Sequence, residues 1–114
     1  MAFVLVVEDD AAVSTALERA LRSAGLEVVV ASTVGEGIAR LDGCGVALVD
    51  LDLPDGWGTD VLRAIRLRRG ARPIRFAIFS GRLDADAVVA ASGERPDAVF
   101  KKPLDIDALL AWVG

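Results

Sequence analysis

Seven positions in the 114-residue chain carry side chains suited to chemistry on charged oxygen groups, and each follows an apolar run. Glu8, Asp9 and Asp10 stand after Phe3 to Val7, and Asp50 closes Val46 to Val49. Ser80 closes Ile74 to Phe79, and Lys101, Lys102 and Pro103 follow Ala98 to Phe100. Carboxylates that converge from separate segments repel one another unless a cation sits among them, and an all-oxygen donor set of this kind suits Mg²⁺ or Mn²⁺. Mg²⁺ commonly takes one or two carboxylates, waters and a substrate phosphate, which leaves a place for an incoming phosphoryl oxygen. Phosphoryl transfer spreads negative charge over the equatorial oxygens, so a metal, an ammonium and a hydroxyl donor are the groups that stabilise it. The chain contains no histidine, which removes His-based triads, His-ligated zinc and a phosphohistidine carried by the chain itself. Its one cysteine, Cys44, cannot form an internal disulfide and reads as a small residue near a strand.

These residues need elements to bring them together. Five apolar runs of strand length, Phe3 to Val7, Leu26 to Val30, Val46 to Val49, Ile74 to Phe79 and Ala98 to Phe100, alternate with stretches of helical period. Strands apolar at nearly every position are covered on both faces, so the pattern predicts a parallel α/β sheet with crossover helices. The first helix presents Val13, Ala16, Leu17, Ala20, Leu21 and Ala24 on one stripe and stops at Gly25. A capping-box pattern, Thr33 to Glu36, opens a second helix weakened by Gly35 and Gly37. Thr59 is expected to cap a third helix running to about Arg69, Asp84 to Ser92 to form a fourth, and Asp105 to cap a fifth. Right-handed crossovers place the carboxyl ends of parallel strands along one edge, and all the residues singled out above fall there.

Plainer readings compete at several of these positions. Asp10 is best read as a helix cap, whereas the further acids at other strand ends favour a metal role for Asp9. Pro54-Asp55-Gly56 and Gly58 read as turn chemistry, and Ser80 before Gly81 is on its own equally a strand-ending turn. The arginines at 63, 66, 68, 69, 72 and 75 read as a solvated helix face. On the fifth helix Ile106, Leu109, Leu110 and Val113 form a core stripe, while Trp112 lies off it, either as peripheral packing or as a partner anchor.

Length and 54% hydrophobic content predict one domain over residues 1–114. Seventeen acids against thirteen bases give a net charge of -4, with no electrostatic footprint for nucleic acid or an anionic membrane. No apolar run approaches the roughly 20 residues of a membrane span, and no leader pattern opens the chain, so a cytoplasmic location is expected.

The ordered set Val6-Val7-Glu8-Asp9, Leu48-Val49-Asp50-Leu51-Asp52-Leu53-Pro54-Asp55-Gly56, Phe79-Ser80-Gly81 and Lys102-Pro103 resembles the receiver domain of two-component response regulators over essentially the whole chain. The resemblance implies a flavodoxin-like, doubly wound α/β fold: a five-stranded parallel sheet in order 2-1-3-4-5 with five flanking helices. It implies Asp50 as phosphoacceptor, Asp9 and Asp50 as ligands of Mg²⁺ (or Mn²⁺), Glu8 as the partner acid, and Asp52 contributing its backbone carbonyl. Ser80 and Lys102 would contact the phosphoryl group, and the bond before Pro103 would be cis. A histidine kinase or histidine phosphotransfer protein would be the donor, and helix 4, strand 5 and helix 5 a surface for a homodimer or output partner. The chain would be a signalling switch without substrate turnover. Receivers usually carry Tyr or Phe three residues before the lysine, where this chain has Val99; Phe100 is one residue later, on the opposite face by strand alternation. Three outcomes follow: transmission through Val99 and backbone alone, a one-residue shift of the strand, or weak output. A phosphorylation-independent pseudo-receiver is the alternative, marked by missing site residues, but here all are present.

Overall fold

The computed structural model describes residues 2–68, 70 and 72–114. Strands β1 (Phe3–Val7), β2 (Val28–Ala31), β3 (Cys44–Asp50), β6 (Arg75–Ser80) and β7 (Ala98–Lys101) form one parallel sheet in the order β2-β1-β3-β6-β7. Counting only these strands, the order is 2-1-3-4-5. A separate two-stranded antiparallel ribbon joins β4 (Asp52–Leu53) to β5 (Gly56–Trp57). The apolar pattern gave no sign of it, because two-residue strands have no period to read.

Alternation along the central strands sends side chains to two cores. Leu5, Val7, Val49 and Ile78 pack beneath α2 (Val34–Ala39), α3 (Gly58–Leu67) and α4 (Ala85–Ser92), through Val34, Val61 and Val89. Val4, Val6, Leu48 and Phe79 pack beneath α1 (Ala11–Ser23) and α5 (Ile106–Val113), through Leu17, Leu21, Leu109 and Val113. No helix among the described residues is long and apolar enough to cross a membrane.

Several local expectations shift. Ala16 and Ala24 of the first-helix stripe are exposed, while Ser14 is buried and donates from its hydroxyl to the Ala11 carbonyl. The third helix starts at Gly58, not at a Thr59 cap: the Asp60 carboxylate accepts from Trp57 N at 3.0 Å, and Thr59 lies buried in the first turn. The helix ends at Leu67, with Arg68 extended (φ -72, ψ 137), short of the expected end at about Arg69, which itself lies outside the described residues. In α2, Thr33 accepts from Glu36 N, but the Glu36 carboxylate returns to Ser32, not Thr33. Gly37 suits that short helix because a Cβ there would lie 2.9 Å from Val7 Cγ2, so α2 sits directly on β1.

The arginine cluster is not simply a solvated face. Arg66 and Arg63 converge from α3 on Glu94, whose carboxylate is buried just beyond α4; Arg66 supplies three bonds of 2.8–3.2 Å. Arg68 pairs with Asp42. Arg75 donates to the carbonyls of Trp112 and Val113 at the end of α5.

Candidate functional site

The carboxyl ends of β1, β3 and β6 meet the loop after β7 in a crevice of about 440 Å³ lined by Glu8, Asp9, Asp10, Asp50, Asp52, Gly81, Arg82 and Lys102. Asp50 is the last residue of β3 and is 4% exposed. Lys102 crosses from the end of β7 to place its Nζ 3.2 Å from Asp50 Oδ2 and 3.2 Å from Glu8 Oε1. The backbone amide of Asp52 donates to Asp50 Oδ1 at 3.2 Å. Close packing behind Asp50 is enforced by Gly58, where a Cβ would overlap the Asp50 carbonyl oxygen. The Lys102–Pro103 bond is cis.

The electrostatics of this cluster are unbalanced. Burial, reinforced by the hydrogen bond and charge of Asp50, pushes the Glu8 carboxyl well above the usual carboxylate range, against the opposing pull of Lys102. Burial alone would lower the Lys102 ammonium, but attraction from Asp50 and hydrogen bonds to Asp50 and Glu8 outweigh it and hold it above its ordinary value. Glu8 Oε2 is hidden from solvent and has no hydrogen-bond partner. Glu8, Asp9 and Asp50 each offer an oxygen, and all lie within 4.8 Å of one another. An orphaned buried carboxylate oxygen among hard anionic donors is the arrangement a divalent cation resolves, so these residues fit such an ion.

The other residues singled out by sequence are placed as follows. Asp10 caps α1, accepting from Ala12 N and Val13 N. Ser80 is buried at the end of β6, and its oxygen accepts from Arg82 N at 3.0 Å. Asp52 is exposed and meets Arg82 NH1 through its side chain at 3.2 Å. Val99 pairs with Ile78 and is 38% exposed, while Phe100 turns to the α5 face and meets the Trp112 ring edge-on at 6.0 Å. A one-residue shift would have put Phe100 on the α4 side, so the strand is not shifted. Trp112 is half-buried, with the Arg75 guanidinium 4.2 Å from its ring centre.

Two residues escaped the sequence reading. Arg82 spans the mouth of the crevice between Asp52 and Asp84, 5.2 Å above the Trp57 ring; a cation directly after Ser80-Gly81 was the available signal. Asp55 is more than turn chemistry: it accepts from Val34 N and Gly35 N, capping α2 from the ribbon, which holds its carboxyl below the usual range. Pairing over twenty residues leaves no local pattern.

The family model of the response regulator receiver domain matches residues 4–114. The cell cycle response regulator CtrA of Brucella ovis is 36% identical over 112 residues, covering 96% of this chain and 47% of that protein. The chain thus spans about half the length of the curated relatives it matches. A CheY-like receiver domain protein from Methanospirillum hungatei superposes with a TM-score of 0.82 at 31% identity, covering 99% of this chain and 90% of that one. A response regulator receiver protein from Pseudomonas putida gives 0.86 at 30% identity, covering 98% and 94%. The parallel sheet, the acids at its carboxyl edge and these likenesses agree: the chain belongs to the response regulator receiver family.

Proposed function

We propose that Asp50 accepts a phosphoryl group from a phosphohistidine of a kinase or phosphotransfer protein, and that the change of charge there switches partner contacts. Receivers of this family are switches of phosphorelay signalling. The observation that carries the reading is the single ammonium of Lys102, 3.2 Å from both Asp50 and Glu8, in a crevice where Glu8 Oε2 has no partner.

In this reading an Asp50 carboxylate oxygen attacks phosphorus, an O–P bond forms, and the N–P bond of the donor breaks. The imidazole nitrogen keeps the electron pair and is left neutral or protonated from solvent. Lys102 fixes one Asp50 oxygen and the Asp52 amide the other, so the carboxylate is held before the donor arrives. Glu8, Asp9 and Asp50, with the Asp52 backbone carbonyl, would hold Mg²⁺. When bound, that ion offsets the repulsion among the acids and stabilises charge on the transferring oxygens. The Ser80 oxygen accepts from Arg82 N but keeps its own proton, which is the donor this reading assigns to a phosphoryl oxygen.

The test is incubation with acetyl phosphate and Mg²⁺, read by intact mass. A gain of one phosphoryl group, lost in Asp50→Asn and on chelation of the metal, is expected. Absence of labelling in the wild type would overturn the proposal and leave the pseudo-receiver alternative.

A further inference from the structure

Three helices begin on an aspartate, and two of them are capped in the usual way. Asp10 (φ -78, ψ 111) accepts from Ala12 N and Val13 N, and Asp105 (φ -82, ψ 101) accepts from Ala108 N. Asp84, at the start of α4, is the exception. Its backbone sits at φ -99, ψ 19, and its carboxylate accepts from no helix amide. Both of its oxygens are engaged by Arg82 instead, Nε to Oδ1 at 2.8 Å and NH2 to Oδ2 at 3.1 Å. The same guanidinium reaches Asp52 Oδ1 at 3.2 Å and lines the crevice that holds Asp50. The first amides of α4 are therefore without a side-chain acceptor because Arg82 holds the residue that would supply one.

We propose that Arg82 is a latch between the phosphoacceptor and α4, exchanging Asp84 for the phosphoryl group on Asp50 and thereby freeing Asp84 to cap the helix. The inference rests on the reading of Asp50 given above. Five acids line the crevice against two cations, and Lys102 is already committed to Asp50 and Glu8. Phosphorylation turns the singly charged Asp50 carboxylate into an acyl phosphate of about two negative charges, a net gain of about one, carried on oxygens that suit a guanidinium fork. Asp84 offers one charge from a side chain 57% exposed, where water screens the pair. The competition therefore favours the dianion in the less exposed site. Once released, Asp84 has two templates in the same chain, Asp10 and Asp105, for the extended backbone and amide bonds of an N-cap. The loop that must rearrange carries Leu83, whose side chain is fully exposed, so an apolar group moves with it. This route runs along the β6–α4 loop and needs no aromatic at Val99.

The amides of Asp86 and Ala87, second and third in α4, report the cap directly by site-resolved hydrogen exchange. In the wild type, acetyl phosphate with Mg²⁺ is expected to slow their exchange about fivefold or more, with no change in Asp50→Asn. Arg82→Ala should show the slowed rate before phosphorylation and no further change after it, and adding Asp84→Ala to that variant should restore fast exchange. A mass gain at Asp50 with unchanged exchange at Asp86 and Ala87 overturns the latch alone. Fast exchange in unphosphorylated Arg82→Ala also overturns it, without recourse to phosphorylation. Absence of the mass gain overturns the phosphoacceptor reading and with it the trigger.

Discussion

Gly58 offers a sharp test of how rigidly the floor of the crevice is built, because ordinary helix propensity and the local packing predict opposite signs for its replacement by alanine. Helix propensity alone would have Gly58→Ala stabilise α3 by up to about 1 kcal/mol. The packing says otherwise. A Cβ at Gly58 would overlap the Asp50 carbonyl oxygen and lie 3.0 Å from both Asp50 C and Val49 Cγ1. Two of these three neighbours are backbone atoms of a central strand and cannot rotate away, so the start of α3 must retreat by about 1 Å to restore normal contact. Overpacking of this kind costs about 1–3 kcal/mol, and a net loss of about 2 kcal/mol lowers the melting temperature by roughly 8 °C for a chain of this size. Gly35→Ala is the matched control. There the new Cβ would meet Asp55 Oδ2 at 3.6 Å and Thr33 Oγ1 at 4.0 Å, which is ordinary contact, so α2 should gain about 0.5–1 kcal/mol. Thermal melts by circular dichroism compare the two. Labelling of Asp50 by acetyl phosphate should slow by about tenfold or more in Gly58→Ala, since displacement of the reacting carboxylate by an ångström is enough to do so. A Gly58→Ala protein that melts at or above the wild-type temperature would refute the reasoning.

Two further perturbations test the supports around the site. Hydrogen bonds from Arg66, with the added charge of Arg63, hold the Glu94 carboxyl below the usual range. A depressed folded value means stability that is present above about pH 4.3 and drains away as the pH falls through the folded value. The melting-temperature gap between wild type and Glu94→Gln should accordingly be full at pH 6 and narrow as the solution is acidified below the ordinary carboxylate range, and a gap independent of pH would count against it. Trp112→Ala loses the edge-on contact with Phe100 and the Arg75 guanidinium, an expected cost of about 2–3 kcal/mol in urea unfolding. Loss of self-association in sedimentation with stability unchanged would instead mark Trp112 as an interface anchor.

The sheet was legible because strands buried on both faces leave unbroken apolar runs, and β1 from Phe3 to Val7 shows this directly. The acids were legible because a parallel sheet delivers strand ends to one edge whatever the details of the helices. What sequence could not show are pairings made across the fold. Glu94 meets Arg66 over twenty-eight residues, Asp55 meets Val34 over twenty-one, and Arg82 meets Asp52 over thirty, each between segments with no shared period. Ala16 and Ala24 fit the stripe of α1 by angle, yet both are exposed, and Ala24 lies past the last helical residue as the C-cap. Gly58 reads as a turn glycine in sequence, and only the approach of α3 to Asp50 reveals why a side chain is excluded there.

The buried carboxylate of Glu94 has a mechanical consequence. It lies immediately after Gly93, the left-handed residue that ends α4, and two arginines fasten it to α3. The far end of α4 thus behaves as a pivot, while the near end at Asp84 is held by an exchangeable side-chain grip. Eight helical residues span about 12 Å, so a displacement of about 1 Å at the near end is a tilt of about 5° around Glu94. The helix is a short lever with its fulcrum at Glu94, and its travel is greatest where it adjoins the acidic crevice.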